Sequence, residues 1–483
     1  MSTAIVWFRR DLRLHDNPAL QAAAEQHERI IPLFIHAPAE QAPWSVGAAA
    51  RWWLHHSLAA LDRALRQVGS RLILHHGPSL AALRDLIDVT GAQAVYWNRL
   101  YEPALIDRDR DIKAAMREQG ITATSYNSAL LWEPWTVRTA QGQPYRVFTP
   151  YWKACCRQPP EPPQPPVLQG LDNNSWPDSL KLAALELLPN IRWYAGISRQ
   201  WQPGEAGAQQ RLRAFCHTAL TDYPQGRNRP DWDGVSRLSP HLHWGELSPR
   251  QVWQAVAERC GGSPLAHSPS EVYVRELGWR EFAHHVLFYN PETPERSLDQ
   301  RFEHYPWQDN PDGLAAWQQG RTGIPLVDAG MRQLWHTGWM HNRVRMVVAS
   351  FLTKNLRTHW LYGARWFWDT LVDADLASNT LGWQWTAGCG VDAAPYFRVF
   401  NPVRQAEQYD PEGLYIAEWV PELAALPARW RAQPWAAPAE VLHRAGVVLD
   451  QTYPLPLLDL KQSRAAALAG YEQIKSAPRG SAI

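Results

Sequence analysis

The chain has few cysteines, no excess charge of one sign and no long apolar run, and each shortage excludes a class of protein. The five Cys show no CxxC spacing and indicate neither a disulfide framework nor a zinc site. This cysteine usage is typical of proteins in a reducing cytosol. A net charge of +1 excludes a uniformly basic surface, so contact with nucleic acid would need a local basic patch. No uncharged apolar run reaches the roughly 18 residues of a membrane span. We therefore predict a cytoplasmic protein without a transmembrane helix.

Tryptophan is abundant instead, with 27 copies in the chain. Large aromatic side chains bury well, so most should lie in the core, and some could serve a flat ligand or electron transfer. A length of 483 residues is too great for one ordinary core and predicts two domains or more.

The first part of the chain alternates short apolar runs with helical periodicity. Buried strands are predicted at residues 4–8, 29–36, 71–75 and 94–98, with helices at 48–68 and 79–90. Alternating strands and helices build a parallel sheet with helices on both faces. Residues 1–132 are therefore predicted to form a doubly wound α/β domain.

The rest of the chain is predicted to be a connector followed by an all-α domain. The proline-rich residues 159–166 favour a stiff, extended segment, so residues 133–204 are predicted to connect the domains. From Glu205 to residue 475 the apolar spacing is helical. The clearest helices are predicted at 205–220, 249–260, 269–289, 325–336, 343–356 and 365–371, with one last helix after Leu460.

Two sequence blocks combine polar side chains with helix starts. In residues 7–17 (WFRRDLRLHDN), Asp16 or Asn17 can cap the next helix. Residues 236–250 (SRLSPHLHWGELSPR) place hydroxyls and helix N-termini together, an arrangement that suits a diphosphate. No GxGxxG or P-loop sequence occurs, which excludes those two kinds of phosphate site.

A third block, residues 276–282 (ELGWREF), has helical spacing. Leu277 and Phe282 should face the core, and Glu276 shares a face with Trp279. Spacing alone favours an ordinary ion pair between Glu276 and Arg280.

A fourth block is spread over residues 337–346 (TGWMHNRVRM), 373–379 (DADLASN) with Trp383 and Trp385, and 392–402 (DAAPYFRVFNP). Taken singly, the aspartates could cap a helix and the tryptophans could be core. As an ordered set they are not a chance pattern.

The four blocks together resemble the DNA photolyase/cryptochrome family, and in particular its class I cyclobutane pyrimidine dimer photolyases, with matches from Ile5 to Pro402. The resemblance implies an N-terminal α/β domain joined to a helical FAD-binding domain. It implies light-driven repair of DNA, in which reduced FAD lends an electron to a pyrimidine dimer and recovers it after the ring splits. Photolyases are among the enzymes that flip their target out of the duplex. We expect damaged DNA as the partner, no membrane, and a monomer.

The resemblance also assigns roles around the cofactor. Asn379 is expected opposite flavin N5, and Asp373 is expected to pair with Arg345. Asp375 is expected near the adenosine or the flavin edge. The whole expected FAD set is Tyr223, Ser236, Arg237, Leu238, Ser239, Glu276, Arg345, Asp373, Asp375 and Asn379.

Electron transfer and DNA binding are assigned in the same way. Trp383, Trp360 and Trp307 match a relay that reduces the flavin from the surface. Glu276 is expected to hydrogen-bond the dimer, with Trp279 stacked beside it. The expected catalytic residues are Glu276, Asn379, Trp307, Trp360 and Trp383, and the expected DNA contacts are Arg227, Trp279, Asn342, Arg343, Met346, Trp385 and Arg398.

Other activities stay open at this point. A cryptochrome-type blue-light signalling protein or a non-enzymatic FAD module could share these motifs. A (6-4) photolyase is disfavoured, because such enzymes carry paired histidines where this chain has Asn342 and Met346. No metal site is predicted, since a third ligand is missing at metal spacing beside His241, His243, His284 and His285.

A second, light-harvesting chromophore is expected in this family, but its identity stays open. Ala104 and Leu105 stand where folate-binding members carry an Asn-Glu pair, which disfavours folate. Arg51 matches a basic residue of deazaflavin-binding members, yet Leu100 replaces its acidic partner. The site is expected to be empty or to hold another flavin.

Overall fold

The N-terminal part of the protein is a five-stranded parallel sheet covered by helices. The computed structural model describes residues 2–173, 175–266, 268–393 and 397–476. The strand order is β3-β2-β1-β4-β5. The elements in chain order are β1 (Thr3–Phe8), α1 (Pro18–Gln26), β2 (Arg29–His36), α2 (Ala48–Gln67), β3 (Ile73–His76), α3 (Ser79–Thr90), β4 (Ala94–Asn98), α4 (Pro103–Glu118) and β5 (Thr122–Tyr126).

The two faces of this sheet bury separate cores. Ala4, Val6 and Phe8 pack in the core that includes residues of α1 and α2, whereas Ile5 and Trp7 pack in the one that includes residues of α3 and α4. Successive residues of a strand point to opposite faces, so a strand buried on both sides reads as one apolar run. The predicted doubly wound α/β domain is therefore confirmed.

Two strand predictions need correction. The third strand lies at Ile73–His76, two residues later than its predicted start. The edge strand β5 (TATSY) was missed, because it pairs with β4 on one side only and carries mostly polar or small side chains.

The rest of the described chain is helical, which confirms the predicted all-α part. Its α-helices are α5 (Phe148–Cys155), α6 (Ala195–Gln200), α7 (Glu205–Thr218), α8 (Tyr223–Gly226), α9 (Ser239–His243), α10 (Pro249–Cys260), α11 (Ser268–Tyr289), α12 (Pro311–Gln318), α13 (Pro325–Thr337), α14 (Asn342–Ser350), α15 (Trp360–Thr370), α16 (Leu376–Ala387), α17 (Pro402–Tyr409), α18 (Leu414–Trp419), α19 (Ala428–Arg431), α20 (Ala439–Arg444) and α21 (Leu460–Lys475). Short 3₁₀ turns occur at Pro38–Gln41, Leu182–Leu185, Pro264–Ala266, Gln300–His304, Pro421–Leu423 and Pro434–Ala436.

The predicted helix at 343–356 is not one regular helix. It is α14 followed by a π-helical turn at Phe351–Asn355, whose wider hydrogen bonds run from Leu356 N to Phe351 O. The predicted helix at 365–371 begins earlier, at Trp360, because the His359 side chain accepts from Leu361 N and caps it. Among the described residues no helix is long and apolar enough to cross a membrane.

The first two sequence blocks fasten the sheet domain to the helical part. Leu12 N donates to Trp244 O at 3.2 Å, and the buried Arg13 guanidinium donates to Gly245 O at 2.8 Å. Gly245 has φ +63°, and a Cβ there would lie 2.0 Å from the backbone oxygen of Arg10. These blocks therefore form the interface between the two parts, a role that spacing did not indicate.

The segment predicted as a connector, residues 133–204, packs on both parts. Gln164 exchanges hydrogen bonds with Asp16, and α5 packs against α11. The domain limits at 132 and 204 stay a prediction.

Candidate flavin cavity and DNA face

A cavity of about 610 Å³, including its open mouth, lies among α14, α15 and α16. Seven predicted residues line it: Asn342, Arg345, Met346, Asp373, Asp375, Asn379 and Trp383. The other lining residues were missed: Ala349, Phe367, Leu371, Ala374, Ser378, Gly382 and Thr386. The repeat of three and four residues from Asp375 along α16 would have indicated Ser378, Gly382 and Thr386.

Asp373 is buried in the wall of this cavity. Its Oδ2 accepts from Arg345 Nη2 at 2.8 Å, the expected ion pair, and from Ser239 Oγ at 2.6 Å. Its Oδ1 is buried without a partner among the described residues. Buried carboxylate oxygens are normally hydrogen-bonded, so this oxygen is free to accept from a bound group such as a flavin. Asp373 and Arg345 therefore fit the implied cofactor.

Asn379 stands one turn after Asp375 and faces the same cavity. Its Nδ2 donates to Ala364 O at 3.0 Å. That bond fixes the amide so that its carbonyl oxygen is left to accept a hydrogen bond from a ligand.

Asp375 caps α16 and has two histidine neighbours that sequence reasoning considered only as metal ligands. Its Oδ1 accepts from Ser378 N at 2.8 Å, while His243 Nδ1 and His284 Nε2 approach Oδ2 at 3.5 and 3.6 Å. Burial would raise the pKa of Asp375, but His284, His243 and Arg280 outweigh it and hold that pKa well below its usual range. Within the described ranges, no group of three or more potential ligands is arranged to hold a metal ion.

The pair expected between Glu276 and Arg280 is absent, and Glu276 pairs instead with Arg227. Arg227 Nη2 lies 2.8 Å from Glu276 Oε1, and both side chains are partly exposed. Arg280 points the other way, toward Glu281 and the carbonyl of Ala129. Burial raises the pKa of Glu276, and the attraction of Arg227 only reduces that shift.

Trp279 lies next to this pair along α11 and stacks on Phe148, with ring centroids 3.7 Å apart and an angle of 9°. Phe148 belongs to α5, so the predicted connector supplies part of this face. No sequence signal linked the two rings, because they are 131 positions apart (279 minus 148).

The remaining predicted DNA contacts have different surroundings. Arg343 Nη2 donates to Asn228 Oδ1 at 2.6 Å, and its guanidinium covers the ring of Tyr409. Trp385 Nε1 donates to Asp392 O at 3.1 Å. Arg398 is exposed and does not line the cavity. Residues 394–396 of the fourth block lie outside the described residues.

The three tryptophans of the expected relay differ in exposure, because Trp383 and Trp360 are buried and Trp307 is partly exposed. Trp383 borders the cavity, and Trp360 is fully buried, with Nε1 donating to Ser297 Oγ at 3.2 Å. The ring of His359 lies 5.6 Å from Trp360 and 5.1 Å from the partly exposed Trp307. Trp383 and Trp360 are linked through α15, since a Cβ on Gly363 would collide with the Trp383 ring.

Six members of the expected FAD set do not line the cavity: Tyr223, Ser236, Arg237, Leu238, Ser239 and Glu276. Tyr223 and Leu238 are buried in the core shared by α7, α10 and α11. Arg237 has φ +50° and places its guanidinium over Trp339, 5.1 Å from the ring centroid. Only Ser239 of that block reaches the cavity wall, through Asp373.

A second cavity, a groove of about 600 Å³, lies between the sheet domain and the helical part. Arg10, Glu102, Ala104 and Leu105 line it on one side, and Trp368 is among the residues on the other. Ala104 and Leu105, the positions that disfavoured folate, thus do face a space that could take a second ligand.

Comparison with known proteins agrees with this layout. Residues 4–167 match the family model described as DNA photolyase, and residues 273–473 match that of the FAD binding domain of DNA photolyase. The chain is 46% identical over 474 residues to the deoxyribodipyrimidine photo-lyase of Agrobacterium fabrum, covering 98% of each. It is 39% identical over 490 residues to Cryptochrome-1 of Arabidopsis thaliana, covering 99% of this chain and 71% of that protein.

Two solved structures share the fold. One is a class III photolyase from Agrobacterium tumefaciens, with a TM-score of 0.95 and 45% identity over 98% of both chains. The other is an archaeal photolyase from Sulfolobus tokodaii described with two FAD molecules, with a TM-score of 0.83 and 32% identity, covering 98% of this chain and 100% of that one. Similarity to a class III protein leaves the class I subtype unconfirmed.

Proposed function

The chain belongs to the DNA photolyase/cryptochrome family, and we propose that it is a light-driven enzyme that repairs cyclobutane pyrimidine dimers in DNA. Its FAD-binding domain makes it a flavoprotein. The single observation that carries the proposal for repair is the cluster of Glu276, Arg227 and Trp279, which joins an exchangeable ion pair to a stacked aromatic face.

The cavity supplies the contacts that the cofactor needs. Asp373 offers its second oxygen, Arg345 holds that carboxylate in place, and Asn379 presents a carbonyl oxygen that can accept from a reduced flavin N–H. When bound, reduced FAD supplies the excited electron that splits the dimer and recovers it afterwards.

Glu276 is suited to respond to charge on the dimer. A partly exposed ion pair is worth little, so Arg227 can be drawn away by a DNA phosphate at small cost. Burial raises the pKa of Glu276, so its carboxyl takes up a proton more readily once Arg227 has left, and a protonated carboxyl can donate a hydrogen bond to a pyrimidine carbonyl. Such a bond strengthens as the dimer becomes negative, so it assists the reaction more than it assists binding.

DNA binding would use a local basic rim rather than overall charge. Arg227, Arg343 and the exposed Arg398 can neutralise phosphates. We propose that Asn342, Met346 and Trp385 border the space for the flipped dimer, beside Trp279.

The decisive test uses two oligonucleotides, one with a cyclobutane dimer and one with a (6-4) product, under near-UV light with reduced enzyme. Restoration of the first alone supports the proposal. Restoration of the second alone contradicts the proposal and the expectation from Asn342 and Met346, which disfavour a (6-4) photolyase. If the protein binds flavin but repairs neither oligonucleotide, a cryptochrome is favoured. The 39% identity to Cryptochrome-1 supports that alternative.

We propose that Trp307, Trp360 and Trp383 bring electrons from solvent to the flavin. Trp383→Phe should abolish light-driven reduction of oxidised flavin and leave repair intact after chemical reduction. Trp317→Phe is a matched control, because Trp317 is also buried and lies 6.1 Å from Trp383 but does not match the relay. Unchanged photoreduction in Trp383→Phe would assign the electron flow to another route.

We further propose a second chromophore, a reducing cytosolic setting and a monomer. The space for a chromophore is the groove lined by Arg10, Glu102 and Trp368, and all five cysteines are free. Extraction and chromatography of pigments would identify a second chromophore, and light scattering would test the monomer.

A further inference from the structure

Two neighbouring residues, Asp375 and Leu376, line two different cavities. Asp375 faces the flavin cavity, and Leu376 faces the groove between the two domains. Only a thin layer of buried side chains therefore separates the groove from the flavin cavity at the start of α16.

His284 occupies this layer and its ring has a defined orientation. Its Nδ1 lies 3.0 Å from Arg280 O, and a carbonyl oxygen can only accept, so Nδ1 carries a hydrogen. Its Nε2 faces Asp375 Oδ2 at 3.6 Å. If the ring were neutral, the lone pair of Nε2 would face a lone pair of the Asp375 carboxylate, and the two would repel each other. A proton between Nε2 and Oδ2 removes that repulsion.

Charged and titratable groups surround the pair on every element that packs against it. His243 approaches the same oxygen from α9, at 3.5 Å, and Arg280 acts on it from α11. Arg10 and Glu102, which are paired with each other, come from the sheet domain, and the ring of Tyr101 meets His284 edge-on. Arg10 and Glu102 line the groove, so they connect this cluster to solvent.

We propose that His284 and Asp375 share a proton that they pass into the flavin cavity when the flavin takes up an electron. Water in the groove then supplies the pair with a new proton. This inference rests on the proposed function, since it requires a flavin in the cavity. Burial lowers the pKa of His284 and Asp375 only reduces that shift, so a proton placed on Nε2 is released readily.

The step balances with one external reductant. A thiol outside the protein gives up one electron, which reaches the flavin, and one proton, which enters the solvent; the resulting thiyl radicals combine in pairs to a disulfide. One proton leaves Nε2 of His284 by way of Asp375 and binds the reduced flavin. A proton from water in the groove then returns to Nε2, so the pair is unchanged after each cycle.

The test follows electrons and protons separately in the flavin-loaded protein. A light flash with excess thiol reduces the flavin; flavin absorbance reports the electron, and a pH-indicator dye reports proton uptake. His284→Gln should slow proton uptake by about a hundredfold, within the range of general acid catalysis, and leave electron uptake unchanged. His284→Arg, which keeps a positive charge but cannot release a proton, should be equally slow.

The controls separate this inference from the proposed function. His285→Gln alters the adjacent buried histidine, which accepts from Tyr145 N, and should behave as the parent. Normal proton uptake in His284→Gln or His284→Arg would overturn the inference, whereas absence of flavin in the parent protein would instead contradict the proposed function.

A measurement on the unaltered protein covers the case in which the variants fail to fold. With ¹⁵N-labelled histidine, nuclear magnetic resonance should show that Nδ1 of His284 keeps its hydrogen while Nε2 gains one as the pH is lowered from 8 to 5. An Nε2 that stays bare over this range would overturn the inference.

Discussion

Two regions carry charged pairs but hold them differently: the part of the cavity wall at Asp373, termed the floor, and the partly exposed pair of Glu276 and Arg227 outside the cavity lining, termed the rim. On the floor, Asp373 is buried and bonded to Arg345 and Ser239. At the rim, the side chains of Glu276 and Arg227 are 28% and 29% exposed and pair with each other. The floor is therefore organised before any ligand binds, whereas the rim can exchange its partners. This difference suits a cofactor that stays and a damaged base that comes and goes.

The largest effect is expected on the floor. Asp373→Ala leaves Arg345 without its buried partner and should lower the free energy of unfolding by about 3–5 kcal/mol, with loss of flavin. Urea unfolding and flavin absorbance measure both. Asp233→Ala is the control, because that carboxylate is 66% exposed and its loss should cost less than about 1 kcal/mol. Equal losses in the two variants would mean that the floor is not preorganised.

Glu276→Ala should act on the reaction at the rim rather than on the fold. Loss of one charge-assisted hydrogen bond should lower the rate of dimer splitting by the equivalent of about 1.5–3 kcal/mol, with a smaller effect on DNA affinity. Repair yield and a binding titration separate the two. A larger loss of affinity than of yield would make Glu276 a binding residue only.

Trp279→Ala should weaken binding of damaged DNA by about 1–3 kcal/mol, the usual worth of a stacked aromatic. The ring is already held flat by Phe148, so little is lost in ordering it. Trp335→Ala removes a 50% exposed tryptophan outside the cavity lining and should leave the dissociation constant unchanged. If both variants bind as the parent does, the dimer does not stack on this face.

The smallest effect is expected from acid, at the start of α14. Burial, with Arg237, Arg343 and Arg345 nearby, lowers the pKa of His341 to about 3. As the pH falls below 6.5, the unfolded chain takes up a proton that the folded protein refuses, so stability is lost. The loss should be about 1.4 kcal/mol at pH 5.5 and should shrink in His341→Gln.

Melting temperatures at pH 7 and 5.5 measure this effect. His217→Gln, an exposed histidine on α7, should keep the full acid loss. If His341→Gln loses as much stability at pH 5.5 as the parent does, another group causes the sensitivity of the fold to acid.

The sequence by itself determined the layout of the fold and, through its resemblance to a known family, half of the residues that line the flavin cavity. The strands of a parallel sheet are buried on both faces, so each appears in the sequence as a continuous apolar run. The apolar spacing of a helix likewise lies within one segment. Both patterns are local and can be recognised without knowing the rest of the fold. The residues at positions 373 to 383 reach the cavity from one short stretch, since α16 repeats its face every three or four residues.

Only the tertiary structure decided which distant groups meet. Arg227 rather than Arg280 pairs with Glu276, Phe148 supports Trp279, and His243 and His284 converge on Asp375. The spacing of residues within one helix identifies possible partners on that helix, but it cannot show whether a residue of another element is a closer partner. The choice is made by packing, because a side chain such as Arg280 is drawn toward Glu281 and Ala129 once α11 is placed against the segment near residue 130.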